Sequence, residues 1–352
     1  MYILGIGLVF AGGFGIGQFE QALEGPWQRP AADGLGLFSY QVDLGTIKDK
    51  SLLKGLRRSD KFSRMSVLAA ADAVAYSPMG SLQGKRAGVI LSTAFGPHVT
   101  TFGFLDTILD YGDANVSPSI FSNSVHNAAA SYIAQSLNIQ GPTMTITQFF
   151  HSCQNALQLA RLWLEEGRCD YVLAGAVDQY GDVMRYVYDK KLTPAPDGCI
   201  RPFNLKPTYQ VPGEGAAFFL LGRDPEEGAF CKVGTITIGN SPEHQETADV
   251  TIIDTDGMLL DESAYSTSLS ADPPIAAYSP LFGSMMIGSA FNCVAGALML
   301  KRQKYYANPV RENPHGMNLL DRGGAANIEL IRCVRYNCHC EKAVIYLKKK
   351  DN

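Results

Sequence analysis

Short apolar runs alternate along this chain with amphipathic segments of helical period, and glycine, proline and asparagine mark the joints between them. The run "MYILGIGLVF" predicts a buried strand, followed by a glycine-rich turn and a short helix over "QFEQALEG". "SDKFSRMSVLAAADAVAYS" has the apolar period of a helix with an alanine-rich face, and Ser59 is its candidate N-cap. "RAGVILSTAFG", residues 86–96, predicts a second buried strand, with a helix over "VTTFGFLDTILDYG" after it. "SNSVHNAAASYIAQSLNIQGP" reads as one helix with small residues on one face, stopped by the Gly141-Pro142 turn. Then come a strand over "TMTITQ", a helix over "SCQNALQLARLWLEEG" and strands over "CDYVLAGAVD" and "EGAAFFLLG". Asp, Pro, Glu and Gly crowd into 224–228, so a division into 1–222 and a shorter 223–352 is expected, the two forming one globular unit. The second part predicts strands over "FCKVGTITIGN" and "DVTIIDTDG", a helix from about residue 259, a helix over "GSAFNCVAGALMLKRQ" and a closing strand over "KAVIYLKK". Alternating strands and helices imply an α/β protein whose mixed or parallel sheet is covered on both faces, and the strand-helix-strand order of both parts suggests a duplicated unit.

Composition narrows the function. The chain has 352 residues, 46% hydrophobic and only 18% charged, so either its core fraction is high or surface is buried against a partner. The net charge of -4 and the absence of a basic run beyond Lys348-Lys349-Lys350 disfavour nucleic-acid binding. Eight cysteines scattered through apolar segments fit buried thiols in a reducing cytoplasm. Cys338-His339-Cys340 has the spacing of neither a zinc finger nor a redox pair. The apolar N-terminus is broken by glycine and lacks a basic flank, so a strand and turn are expected there rather than a signal peptide or membrane span. Its GxGxxG-like glycines lack the acidic residue that a dinucleotide site needs. Asp254, Asp256 and Asp261 have a loose metal-like spacing that loop solvation accounts for better, and Glu214 reads as a structural turn acid.

Several strings resemble the β-ketoacyl synthase family. "GIGLVFAGGFGIGQFEQALEG" is similar to the family's opening, and "SPSIFSNSVHNAAASYIAQSLNIQGP" to the approach to its nucleophile. "LEEGRCDYVLAGAVD" resembles the strand after the nucleophile helix, and "RPFN" with "VPGEGAAFFLLG" the close of the first half. The resemblance spans 1–222 and is thin beyond. It implies a thiolase fold, a duplicated αβαβα five-layer arrangement, and a reactive cysteine at a strand-to-helix elbow served by two histidines. A helix N-terminus lowers the pKa of such a thiol and its N–H groups stabilise the oxyanion; the histidines promote decarboxylation.

Counting back from Gly167 puts Phe150 at the cysteine position, within "TITQFFHSCQNAL". The histidine positions fall on Asp256 in "DTDGM" and near Ser289 in "MIGSAF", and "CHCEK" replaces the family's final glycine-rich loop. A phenyl ring cannot attack a thioester, so no catalytic residue is expected. The resemblance therefore points to the family's non-catalytic kind, the chain length factor of type II polyketide synthases, which pairs with an active ketosynthase and walls the growing chain. Such factors usually carry glutamine where this chain has phenylalanine; Gln148 lies two residues early. On the resemblance, Phe95, His98 and Phe102 fall where bulky residues close the acyl tunnel, and their spacing predicts one helical face; ordinary core packing is the competing reading, with Ile120 and Phe121 as alternative length-setting residues. Two further readings stay open, a condensing enzyme acting through Cys153 and a scaffold that binds acyl carrier protein. Cys153 lies one turn into the helix, so an inert packed thiol is favoured there. His126-Asn127 reads as a helix-packing pair. No cofactor is expected, the expected partners are an active ketosynthase and acyl carrier protein, and neither nucleic acid nor membrane is among them.

Overall fold

The computed structural model describes residues 1–47, 55–204, 209–239, 246–255, 257 and 273–350. Five strands build the first half: β1 (Tyr2–Phe10), β2 (Ala87–Thr93), β3 (Thr143–Thr147), β4 (Tyr171–Asp178) and β5 (Gly215–Gly222). β1 pairs antiparallel with β5, β5 antiparallel with β4, β4 parallel with β2, and β2 parallel with β3. The second half has β6 (Cys231–Ile238), β7 (Val250–Ile253), β8 (Ile275–Ala276), β9 (Leu330–Tyr336) and β10 (Lys342–Lys348). Their pairings repeat the first set in order and direction: β6 with β10 and β10 with β9 antiparallel, β9 with β7 and β7 with β8 parallel. The duplication suggested by the strand-helix order is thus present in the topology. The halves join where β1 and β6 pair through Tyr2–Lys232 and Ile3–Cys231. The Asp-Pro-Glu-Gly stretch lies in the connection between β5 and β6.

Eight helices are described: α1 (Ile16–Glu24), α2 (Lys61–Ala75), α3 (His98–Tyr111), α4 (Pro118–Ser124), α5 (Ala128–Ser136), α6 (Ser152–Glu165), α7 (Asp182–Lys191) and α8 (Gly288–Arg302). α2 and α5 cover the outer face of the first sheet, where Leu68, Ala73 and Ile133 pack on Val89, Leu91 and Phe218. The alanine-rich face of α2 comes so close to β1 that a Cβ on Gly7 would lie 2.2 Å from the Ala69 carbonyl oxygen, so only glycine fits there. α6 and α8 lie in the core shared by both sheets, with Trp163 and Leu164 of α6 and Phe291 and Leu298 of α8 among its members. Every residue of α8 from Gly288 to Leu300 is buried, as expected of a helix that is apolar all round and sits at the centre of a domain. A further cluster, with Phe203, Ile253, Val334 and Tyr346, covers the far face of the second sheet. The helix expected from about residue 259 lies outside the described residues, so four of the five expected layers are described.

Three expectations are corrected. Asp60, not Ser59, caps α2: its Oδ1 accepts the Ser63 N–H at 2.8 Å, while Ser59 donates its hydroxyl backwards to the Leu56 carbonyl. The single helix expected before Gly141-Pro142 is broken at Val125, whose backbone is extended, giving α4 and α5. Phe95 precedes α3, because the helix opens only after Pro97, so Phe95, His98 and Phe102 do not share one helical face. The sequence reading also missed β9 and α7, the latter a largely exposed helix that buries only Tyr188.

Candidate functional site

The elbow forms where β3 leaves the sheet edge. Gln148 donates its N–H to the Thr93 carbonyl at 3.0 Å, keeping the chain on β2 for one residue past the strand. The backbone then turns through His151, which holds φ 57° in the left-handed region and accepts the first helical bond from the Asn155 N–H at 3.0 Å. A non-glycine residue at positive φ is uncommon and costs conformational energy, which the packing of α6 must offset. Cys153, Ala156, Leu157, Ala160, Trp163 and Leu164 are the buried apolar stripe that supplies that packing.

Phe150 is the half-buried residue before the left-handed one, and its ring lies over the Arg335 guanidinium, 5.8 Å from centroid to Cζ. Arg335 comes from β9 and forms an ion pair with the Asp254 carboxylate at the end of β7; both side chains are 1% exposed. Asp254 Oδ2 also accepts from the Ser289 hydroxyl at 3.1 Å, and Ser289 accepts from Gln154 Nε2 at 3.0 Å. Gly288 makes this approach of α8 to Asp254 possible, since a Cβ there would lie 2.7 Å from the carboxylate. A buried charge needs a paired partner and further hydrogen bonds, and this chain of contacts supplies both. It also runs from the first half (Phe150, Gln154) into the second (Asp254, Ser289, Arg335).

Asp254 is therefore not loop-solvated, as its spacing had suggested, but fully buried in an ion pair. Asp256 and Asp261 lie outside the described residues, and among the described residues no group of histidine, cysteine and acidic side chains is arranged to hold a metal ion. His151 is 3% exposed, and burial, with the Arg335 charge nearby, lowers its pKa to about 4. Cys153 is completely buried, and burial pushes its thiol well above the ordinary range. A thiolate is disfavoured in such surroundings, the opposite of what a nucleophile requires.

The tunnel candidates separate into two groups. Phe95 is half-buried, with its ring 5.6 Å from that of Phe149 and 6.0 Å edge-on from the buried His98. Its backbone is fixed from β4, where Asp178 Oδ1 accepts the Thr93 hydroxyl and the Ala94 and Phe95 N–H groups. Burial raises the Asp178 carboxyl to about 6. Phe102, Ile120 and Phe121 are exposed on α3 and α4, and Phe121 packs at 5.6 Å on Phe104. Along α3 only His98 is buried, although the helix carries Phe102, Leu105 and Leu109. β3, the edge strand of the first half, is likewise exposed at Met144. Phe149, at 58% exposure, joins the two surfaces. His126, at the break between α4 and α5, is exposed and its ring sits against Gly96. Glu214 is the structural acid expected, accepting from the Val42 and Tyr180 N–H groups and pairing with Lys61. Sequence reasoning missed Phe149 and Arg335; the doubled phenylalanine at 149–150 and an arginine inside the apolar run of β9 were the signals.

Two half-sheets of identical connectivity, joined edge to edge and packed around a shared helix layer, with an elbow at the head of α6, define a thiolase-type protein. The β-ketoacyl synthase N-terminal domain family matches residues 48–227, about half of the chain, and the chain belongs to the β-ketoacyl synthase family. A relative from Streptomyces halstedii, "Putative polyketide beta-ketoacyl synthase 1", is 27% identical over 270 residues, covering 68% of this chain and 63% of the relative. The chain thus spans under two thirds of that relative's length. Among solved structures, the ishigamide ketosynthase/chain length factor superposes with a TM-score of 0.82 at 17% identity, covering 99% of both chains. A beta-ketoacyl synthase from Burkholderia phymatum STM815 gives 0.81 at 18% identity, again over 99% of both. At these identities the structural likeness establishes the fold. Among the described residues no helix is long and apolar enough to cross a membrane.

Proposed function

We propose that this chain is a non-catalytic partner of an active ketosynthase, a chain length factor that shapes the acyl tunnel and sets the length of a polyketide, aromatic or polyene. One observation carries the reading. Where the family resemblance puts the thiol, the Phe150 ring closes over a buried Arg335–Asp254 pair, and Ser289, at the position of a catalytic histidine, is held in the same cluster. A phenyl ring offers neither nucleophile nor base, and the carboxylate beneath is already paired.

The partner would cover the apolar face of α3, α4 and β3, exposed here in the single chain. Apolar surface of that kind marks an interaction site, and obligate interfaces commonly bury more than about 2,000 Å². Acyl carrier protein would be the second partner, delivering chains to the ketosynthase. Co-expression with its cognate active ketosynthase should give a tight heterodimer. The isolated chain, given acyl-loaded and malonyl-loaded carrier protein, should form no acyl-enzyme and release no carbon dioxide. A stable monomer that ignores the ketosynthase, or a stoichiometric acyl adduct, would overturn the proposal.

A further inference from the structure

Phe149 and Phe150 are neighbours in one turn, yet they point to opposite sides of it. Phe150 turns inward onto Arg335, whereas Phe149 stands 58% exposed with its ring 5.6 Å from that of Phe95. The ring that Phe95 meets is therefore not the one helical spacing suggested, since Phe102 lies seven residues on and outward on α3. Phe95 is itself anchored through its N–H to the buried Asp178. A fixed aromatic pair thus stands at the end of the exposed edge strand, where β3, the elbow and the start of α3 meet. We infer that Phe149 is a specificity-determining residue, an aromatic wall against the acyl chain held by the partner, and that Arg335 is a positioning residue acting on it through Phe150. The inference rests on the proposed role as a chain length factor.

The physical case is one of rigidity. A length stop must resist an apolar chain pushing against it, so it needs few free torsions and a backbone that does not yield. Phe149 has two side-chain torsions, is braced sideways by Phe95, and belongs to a turn closed from below by the Phe150–Arg335 stack. Cation–π stacking strengthens when it is desolvated, and Arg335 is fully buried. His151, in its left-handed conformation, fixes the turn on its other side. Exposed rings such as Phe121, which packs on the Phe104 ring beside it, lack this bracing from the core.

The test uses the reconstituted heterodimer and reads the product length distribution by mass spectrometry. Phe149→Ala should move the main product to longer chains by about one two-carbon unit, and Phe149→Trp should move it shorter, a two-way shift that loss of packing alone does not produce. Replacing the ion pair as a unit, Arg335→Met with Asp254→Leu, should broaden the distribution in a chain that carries Phe149 and add nothing to Phe149→Ala. Should Phe149→Ala fail to assemble, Phe149→Leu keeps the apolar surface, and its product should also lengthen. If assembled Phe149 variants give the wild-type distribution while Phe95→Ala lengthens the product, this inference is overturned and the chain length role stands. If none of the Phe95, Phe102, Phe121 and Phe149 variants changes the product of an intact, active heterodimer, the chain length role itself falls.

Discussion

The Arg335 guanidinium lies beneath the Phe150 ring, 5.8 Å from its centroid, so a cation underlies the aromatic face at the elbow, where the family resemblance leads one to expect a nucleophile. Restoring a thiol there is therefore not enough to restore chemistry. Phe150→Cys should remain unacylated by acyl-loaded carrier protein, because Ser289 cannot act as the histidine would and Asp254 is committed to Arg335. Intact-protein mass spectrometry reads the outcome, and a stoichiometric adduct would show that the elbow keeps a working oxyanion site.

The same pair predicts an asymmetry in stability. Arg335→Met alone leaves the Asp254 carboxylate buried without its countercharge and should cost about 3–5 kcal/mol. Arg335→Met combined with Asp254→Leu removes both charges and should cost clearly less than the single change. Urea denaturation of the three proteins checks this, and equal losses would mean that the pair is not energetically coupled.

His151 gives a pH dependence of defined sign. Its folded-state pKa is lowered to about 4 by burial and by the Arg335 charge, against about 6.5 in an unfolded chain. The unfolded state therefore binds more protons between those values, so the stability linked to His151 is complete above about pH 6.5 and is lost as pH falls through about 4. His151→Asn, which tolerates the left-handed backbone, should remove this part of the acid sensitivity. Denaturation midpoints at pH 7 and pH 4.5 should differ less in the variant than in the native chain; identical differences would contradict the assignment.

Asp72 runs the other way. It lies in α2 against β1, accepts the Leu8 N–H at 3.4 Å, and burial raises its carboxyl to about 7. The folded state then holds the proton longer than the unfolded one, so this contribution is complete below about pH 3.9 and is lost as pH rises through about 7. Asp72→Asn should flatten the decline across that window, measured by the same denaturation series, and should leave the His151 component in place.

Leu109, 81% exposed, and Phe121, 55% exposed, give a test of the apolar face that leaves the core alone. Leu109→Asp and Phe121→Asp should each abolish co-elution with the ketosynthase while leaving circular dichroism and thermal unfolding close to the native chain, because neither side chain belongs to a buried cluster. Co-elution unchanged in both would move the interface elsewhere.

The order of strands and helices was legible in the sequence because each element carries its own period. The runs of β1, β2 and β4 and the stripe of α6 are local patterns that need no partner to be recognised. The family strings over 1–222 and the phenylalanine at the elbow were legible for the same reason, being contiguous. Where a local signal competed with a neighbour, the reading failed. Asp60 took the cap from Ser59, Val125 broke a helix that composition alone would continue, and Pro97 set the start of α3 beyond Phe95. The tertiary structure alone decided what lies beneath the elbow. Asp254 and Arg335 are far apart in sequence and meet only because β7 and β9 pair in parallel, and Gln154 reaches Ser289 only because α6 and α8 share one layer. Whether Phe149 or Phe150 turns inward was likewise undecidable from two identical residues in a row. The backbone at His151 and the buried Arg335 guanidinium made that choice, and both are properties of the packed fold.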